Sequence, residues 1–347
     1  MKTAKFRDLI PANVAPAGTV AIGVYNNQGK KLGQFEPQHL TLPETGMLLY
    51  RFGAISDVHM LEATQWHDNT SYIDFARVLE YMNGNADFLC IDGDLTQNGT
   101  EEQLRAYRTY VQTYAPDIPV YAITGNHESY GGLSLGQTIE GYTGKPLYYS
   151  FQQGDDLFIM MGIIGEVTLF DQGQLQWFYE TLEANRNRRC FVFMHVYPGA
   201  DKSEVCGNAK GLYHNYCWSH ATQTVVFVSL MAHYKNAILF HGHSHLRLQL
   251  QAADCPYANY SRGEGYHSVH IPSVSVPRED ADGNGETEVN YEGSEGYLVD
   301  VYENGVMLTG WDFIGNMPIP IGTYWLDTSL TEITSGSYVD STGTVTP

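Results

Sequence analysis

The chain has 347 residues, 43% of them hydrophobic, and carries 39 acidic against 19 basic side chains for a formal net charge of −20. That balance excludes non-specific binding to nucleic acid or to an anionic membrane, because both need basic patches. No apolar run reaches the roughly 20 residues of a bilayer span, so no membrane association is expected.

Residues 1 to 46 read as a small β-rich N-terminal extension. Val20 to Tyr25 and Lys30 to Phe35 flank the polar turn Asn26-Asn27-Gln28-Gly29 as a hairpin, and Pro11, Pro16, Pro37 and Pro43 punctuate the segment. Lys2, Lys5, Arg7 and Asp8 precede no apolar run, so a signal peptide is not expected and the expected location is cytoplasmic.

From Leu48 the pattern alternates strand and helix through a main domain over residues 47 to 327. Leu48 to Ser56 reads as a buried strand ending at Asp57. Tyr72 to Met82 reads as a helix, with Ile73, Ala76 and Leu79 at helical spacing. Ala86 to Ile91 is a strand ending at Gly93-Asp94, and Glu101 to Tyr114 a helix that opens on acidic residues, as its dipole prefers. Ile118 to Thr124 is a strand ending at Gly125-Asn126-His127-Glu128. Leu157 to Ile164 is a strand and Gln172 to Arg188 a helix. Arg189 to Met194 is a strand ending at His195. Thr222 to Tyr234 is a helix, and Ala237 to Phe240 a strand running into Gly242-His243-Ser244-His245. The chain then turns β-rich, and Tyr297 to Tyr302, Glu303-Asn304-Gly305 and Val306 to Phe313 read as a hairpin with a tight Asn-Gly turn. Residues 328 to 347 are a Ser/Thr/Gly-rich tail.

Five short motifs therefore close five apolar runs: Asp57-Val58-His59, Gly93-Asp94, Gly125-Asn126-His127-Glu128, His195 and Gly242-His243-Ser244-His245. Strands of an α/β sheet deliver their ends to one rim, so residues from 57 to 245 can meet at one point. Taken singly, each His is better explained as a satisfied core or surface residue and Asp57 as a helix cap. Together they make a cluster of imidazole, carboxylate and amide donors, which suits two borderline divalent ions such as Mn, Fe or Zn. His241 is expected to support this group rather than to join it.

The motif order resembles that of the calcineurin-like metallophosphoesterase superfamily, DxH, GD, GNH(D/E), H and GHxH, over roughly residues 50 to 250. The resemblance implies an α/β fold of two mixed β-sheets packed as a sandwich flanked by helices. It implies that Asp57, His59, Asp94 and His245 hold one metal, and that Asp94, Asn126, His195 and His243 hold the other, with Asp94 bridging. It further implies a phosphoester hydrolase that uses a bridging hydroxide as nucleophile, with His127 assisting the leaving oxygen as general acid or charge stabiliser. Glu128 either orients the His127 loop or caps the local turn. Protein Ser/Thr phosphatases of the superfamily follow their Gly-Asp with an Asp and an Arg. Here the stretch is Leu95-Thr96-Gln97-Asn98-Gly99, which disfavours that branch. Without a phosphate-gripping Arg, a monoanionic diester is favoured over a dianionic monoester.

A phosphodiesterase acting on a small or polymeric phosphoester is the expectation. The alternatives are a phosphomonoesterase of the same fold, or a non-catalytic structural or binding module of a viral or envelope assembly. Trp66, His67, Tyr130, Tyr197, His214 and Trp218 follow motif strands and are candidates for a substrate wall, although 25 tyrosines have to sit somewhere. Cys90 and Cys190 are expected as buried thiols. Cys206 and Cys217 flank a loop and could pair, while the odd count of five cysteines favours free thiols. Asp280-Ala281-Asp282-Gly283-Asn284-Gly285 matches the first half of a calcium loop but has Tyr291 where the closing Glu belongs, so an acidic surface turn is the better reading. The sequence sets no oligomeric state.

Overall fold

The computed structural model describes residues 22–25, 31–35, 45–61, 70–131, 140–165, 170–196, 221–248, 260–261, 266–279, 288–289, 292–328, 338–339 and 345–346. The chain divides into two compact units, Met1–Met47 and Leu48–Pro347. In the first, β1 (Ile22–Tyr25) pairs antiparallel with β2 (Lys31–Phe35), as the hairpin pattern requires. The turn between them lies outside the described residues, as do Trp66, His67, Tyr197, Cys206, His214, Cys217, Trp218 and the Asp280–Gly285 loop.

The second unit opens with β3 (Leu48–Ile55), α1 (Thr70–Asn85), β4 (Phe88–Asp92), α2 (Glu101–Tyr114) and β5 (Val120–Ile123). It continues with β6 (Tyr148–Gln153), β7 (Asp156–Met161), α3 (Gln172–Ala184), β8 (Cys190–Phe193), α4 (Ala221–His233), β9 (Ala237–His241), β10 (Tyr260–Ser261) and β11 (His267–His270). Then follow the short pair β12 (Arg278–Glu279) and β13 (Glu288–Val289), and the long strands β14 (Glu295–Tyr302), β15 (Gly305–Asp312) and β16 (Met317–Asp327). Within the tail, β17 (Tyr338–Val339) pairs with β18 (Val345–Thr346).

Two six-stranded mixed sheets result, in the orders β16-β15-β14-β3-β4-β5 and β10-β11-β9-β8-β7-β6. Strands β3, β4 and β5 run parallel in the first, and β7, β8, β9 and β11 run parallel in the second. Strand β4 is buried along its whole length, as a strand covered on both faces must be. Alternate residues point to one face, so Phe52, Ala54, Phe88 and Cys90 of one sheet meet Phe158, Met160, Phe191, Phe193 and Phe240 of the other in a common core. The contact is largely aromatic: the Phe52 ring stands edge-on to Phe158 at 5.2 Å and to Phe191 at 5.4 Å. The intervening residues Ile159, Met161, Val192 and Leu239 pack on Phe178 and Leu182 of α3 and on Phe227 and Met231 of α4. The expected sandwich with helices outside is therefore the fold.

One buried ion pair ties the layers together. Arg189 donates through Nε and Nη2 to both carboxylate oxygens of Asp156 (3.1 and 2.7 Å), and its Nη1 reaches the carbonyl oxygens of Tyr302 and Gly305. Tyr50 on β3 donates to the same carboxylate at 2.6 Å. Cys90 and Cys190 are buried free thiols. Helix α3 ends at Ala184, short of the expected Arg188, because the Asn-rich stretch turns back into β8. Among the described residues no helix is long and apolar enough to cross a membrane.

Candidate metal centre

The parallel strands β3, β4, β5, β8 and β9 all end at one edge of the sandwich, and each motif begins where its strand stops. The backbone there takes a conformation that side chains normally avoid. Among the described non-glycine residues with left-handed φ are Asp57 (56°), His59 (48°), Asp94 (48°), His243 (68°) and His245 (61°). Left-handed backbone costs roughly 1–2 kcal/mol per residue, and such strain persists only where the surroundings over-determine it. The curl turns successive acidic and imidazole side chains back onto the strand ends. The motif glycines serve the same convergence. A Cβ on Gly125 would lie 2.1 Å from Asp94 Oδ1, and one on Gly242 would lie 1.9 Å from Ser56 Oγ, so only glycine lets these loops approach.

Asp57, Asp94, His195, His245 and Asn126 share one design, in which the outer atom is tied down and the inner atom is offered. Asp57 Oδ2 accepts the backbone N–H of His243 (3.1 Å), while Oδ1 faces His245 Nε2 (3.1 Å), His195 Nε2 (3.7 Å) and His59 Nε2 (3.8 Å). Asp94 Oδ1 accepts the backbone N–H of His127 (3.0 Å), while Oδ2 faces His195 Nε2 (3.0 Å) and His59 Nε2 (3.7 Å). His195 Nδ1 is 2.5 Å from the Asp92 carbonyl oxygen and His245 Nδ1 is 2.9 Å from that of Val276. A ring that donates through Nδ1–H presents a lone pair at Nε2, which is the tautomer a metal needs. Asn126 donates Nδ2–H to the Tyr130 hydroxyl (2.9 Å), leaving Oδ1 to the interior.

Two groups of donors emerge, Asp57, His59, Asp94 and His245 on one side and Asp94, His195 and His243 on the other, each within 4.8 Å. Asp94 is common to both. Asp57 Oδ1, Asp94 Oδ2 and Asn126 Oδ1 are buried and accept no hydrogen bond of good geometry. Orphaned buried acceptors are rare in folded proteins and call for an ion or water. The donor set, with borderline imidazole beside hard oxygen, fits divalent transition metals, so the residues present fit a two-metal site.

The titration behaviour of the cluster points the same way. Burial disfavours charge on Asp57 and Asp94, yet neighbouring histidines, His245 and His195 for Asp57 and His195 for Asp94, hold both carboxyls well below the ordinary range. Burial likewise opposes a proton on His195, but the Asp94 and Asp57 carboxylates push it up to about 10. Burial and the nearby His195 bring His243 down to about 3. Two buried carboxylates thus demand positive charge between them.

His127 stands beside this group rather than in it. Its Nδ1 is 2.6 Å from the Gln97 carbonyl oxygen, its Nε2 is 3.9 Å from Asp94 Oδ2, and its side chain is 21% exposed. Glu128, left open between two roles by its sequence, makes contacts of both kinds, one within its own turn and two to a distant loop. Its Oε1 accepts from the backbone N–H and hydroxyl of Thr96 (both 2.9 Å), 32 residues away, while its Oε2 accepts from Gly125 N (2.8 Å). Burial and the Asp94 charge push its carboxyl up to about 7, against three donors that favour the ionised form. His241 is buried at the end of β9, its ring 5.6 Å from His270.

Some supporting residues carried no sequence signal. Ser273 Oγ donates to the Asp57 carbonyl oxygen (3.0 Å), Val274 N to that of Ser56 (3.0 Å), and the Val276 and Asp92 carbonyls orient His245 and His195. His270 Nε2 lies 2.6 Å from the hydroxyl of Ser244, inside the last motif. Most of these act through backbone atoms, which every sequence supplies.

A mixed-sheet sandwich with buried Asp, Asn and His gathered where its parallel strands end defines a metallophosphoesterase-type α/β protein. Residues 50–247 match the calcineurin-like phosphoesterase family, and the chain belongs to it. No curated protein matches the sequence significantly. The fold is similar to that of GAP50, the anchor in the inner membrane complex of Plasmodium, at 10% identity and a TM-score of 0.53, covering 83% of this chain and 95% of that one. Weaker likenesses join it to a conserved uncharacterized protein (predicted phosphoesterase) of Streptococcus pneumoniae TIGR4, with 11% identity, TM-score 0.39 and coverage of 81% and 99%. Another is vacuolar protein sorting 29 of Cryptosporidium parvum, with 12% identity, TM-score 0.39 and coverage of 82% and 100%.

Proposed function

We propose that the protein is a two-metal phosphoester hydrolase with a preference for diesters. The observation that carries this is the cluster of donors, buried except for the half-buried His243, with Asp94 common to both halves. In this reading Asp57, His59, Asp94 and His245 hold one ion, and Asp94, Asn126, His195 and His243 the other. A pair of Mn, Fe or Zn ions supplies Lewis acidity and lowers the pKa of coordinated water toward neutrality.

The chain's own residues do the rest. The tied carboxylates fix where charge sits before substrate arrives. His127, with Nδ1–H given to the Gln97 carbonyl, keeps Nε2 for the departing oxygen, and in its imidazolium form it delivers the Nε2 proton there and is left as the neutral ring. The diester preference rests on charge: among the described residues the ion pairs placed on Asp57 and Asp94 come from histidine, and Gln97 and Asn98 stand where a phosphate-gripping Arg would. A net charge of −20 also favours a small or locally presented ester over non-specific hold on a polyanion.

The test is metal content of the purified chain together with hydrolysis of a chromogenic diester and its monoester after Mn²⁺ addition. The expected result is close to two ions per chain, diester turnover above monoester, and loss of turnover in Asp94→Ala and His243→Ala with the fold retained. Full activity in either variant overturns the assignment, and faster monoester turnover overturns the diester preference.

A further inference from the structure

Asn126 poses a problem that the other donors of the cluster do not. A carboxylate offers oxygen at either end, but an amide has one acceptor end and one donor end. Turned the wrong way, Asn126 would present an NH₂ group to a site built to attract cations. Something has to fix its orientation, and nothing in the five motifs does so.

We infer that Tyr130 is the positioning residue for Asn126, its hydroxyl taking the amide N–H so that Oδ1 stays aimed into the cluster. The contact is 2.9 Å from Nδ2 to the phenol oxygen. Asn126 is 4% exposed and its Oδ1 is buried without a hydrogen bond, the state expected of an atom held for a ligand. The two residues lie at opposite ends of one tight turn. Ser129 closes that turn through its backbone N–H (3.0 Å) and its hydroxyl (2.6 Å), both given to the Asn126 carbonyl oxygen. The Tyr130 ring in turn packs on the His127 ring, with centroids 4.8 Å apart. A single turn thereby sets the orientation of Asn126 and braces the proton-bearing histidine beside it. Although 46% exposed, Tyr130 is anchored at its tip.

This inference rests on the two-metal reading above, and the experiment separates the two. Mn²⁺ binding to the full chain is titrated calorimetrically for wild type, Tyr130→Phe and Tyr130→Leu, alongside thermal unfolding without metal and kcat and KM with the diester. Loss of the hydroxyl is expected to leave one Mn²⁺ site as in wild type and to weaken the other by about 10–100-fold, the usual cost of removing a ligand's supporting contact. Both variants are expected to lose affinity alike, with kcat reduced, KM nearly unchanged and the metal-free unfolding temperature unmoved. Two unperturbed Mn²⁺ sites in Tyr130→Phe overturn the inference and leave the two-metal reading standing. A loss confined to Tyr130→Leu also overturns it, because the ring and not the hydroxyl would then matter. Wild type that binds no Mn²⁺ overturns both.

Discussion

At the scale of single residues, the proposed function divides the described site between groups that hold charge and His127, to which it gives proton transfer. Asp57, Asp94, His195 and His245 each spend one polar atom on a backbone partner and turn the other inward. His127 also spends Nδ1 on a backbone carbonyl, but its side chain is 21% exposed and its Nε2 lies 3.9 Å from Asp94 Oδ2. In the proposed reading His127 acts on the leaving oxygen, so its worth depends on how much help that oxygen needs. His127→Ala is therefore expected to slow hydrolysis of an alkyl diester by about 10²–10⁴-fold, the usual value of general acid catalysis. Hydrolysis of a nitrophenyl diester, whose leaving group departs without a proton, is expected to fall far less. Comparing kcat of the variant on the two esters tests this. An equal loss on both would assign His127 to charge stabilisation or structure and not to proton delivery.

At the scale of elements, helix α1 shows how a fold can carry a local cost. It buries Phe75, Val78, Leu79 and Met82, and with them the carboxyl of Asp74, which is 3% exposed. Arg77 pairs with Asp74 Oδ1 at 2.6 Å, while Oδ2 is buried without a hydrogen bond. Burial outweighs the pull of Arg77, and the Asp74 carboxyl is pushed up to about 6. An unfolded Asp titrates near 3.9, so the fold holds this proton more tightly than the unfolded chain does. The contribution of this one group to stability is then most favourable below about pH 4, falls as the pH rises toward 6, and stays reduced above. Asp74→Asn is expected to stabilise the protein by about 1 kcal/mol at pH 7.5, allowing for screening around the half-exposed Arg77, and to be neutral at pH 4. Denaturant unfolding at the two pH values checks it, and a gain of equal size at both would remove titration as the cause. The same scale shows what a sequence can reveal. The strands ending at Asp57, Asp94, Asn126, His195 and His243 were legible because each is a mostly apolar run, interrupted at most by a single residue such as Arg51, and is cut off by Gly, Asp or His. Strand β16 was not, since Pro318 and Pro320 argue against a strand, yet both sit on an edge strand where a missing N–H costs little. Strand β6 escaped for a related reason: Tyr148–Gln153 lies at the edge of its sheet and is only half-buried, so it lacks an apolar run. The Ser273–Val276 segment that backs the site offers a hydroxyl, an N–H and a carbonyl, which no motif distinguishes.

At the scale of the whole molecule, the sandwich bears several unfavourable terms at one edge in order to assemble the site. Five left-handed residues, two fully buried carboxylates and an orphaned amide oxygen are gathered within a few ångströms. The opposing stabilisation available from the rest of the fold is the aromatic core between the sheets and the Arg189–Asp156 pair that ties them. A ligand that binds only the assembled edge shifts the folding equilibrium by RT ln(1 + [L]/Kd), about 2.7 kcal/mol for each ion at a hundredfold excess over Kd. Two ions would then contribute about 5 kcal/mol, which for a domain of this size corresponds to a rise in Tm on the order of 10 °C. Chelation of purified protein is expected to lower Tm by that amount, and Mn²⁺ is expected to restore it, whereas Mg²⁺, which disfavours imidazole, restores little. Asp94→Ala removes the carboxylate common to both donor groups, so its Tm is expected to show little response to Mn²⁺. Its metal-free Tm is expected to fall below that of wild type, because the substitution removes the acceptor of the His127 N–H and the carboxylate beside His195, and puts Ala, less tolerant of left-handed backbone than Asp, at φ 48°. Calorimetric scans of both proteins with chelator and with Mn²⁺ decide the matter. A wild-type Tm indifferent to Mn²⁺ would mean that the strain at this edge is offset within the chain itself.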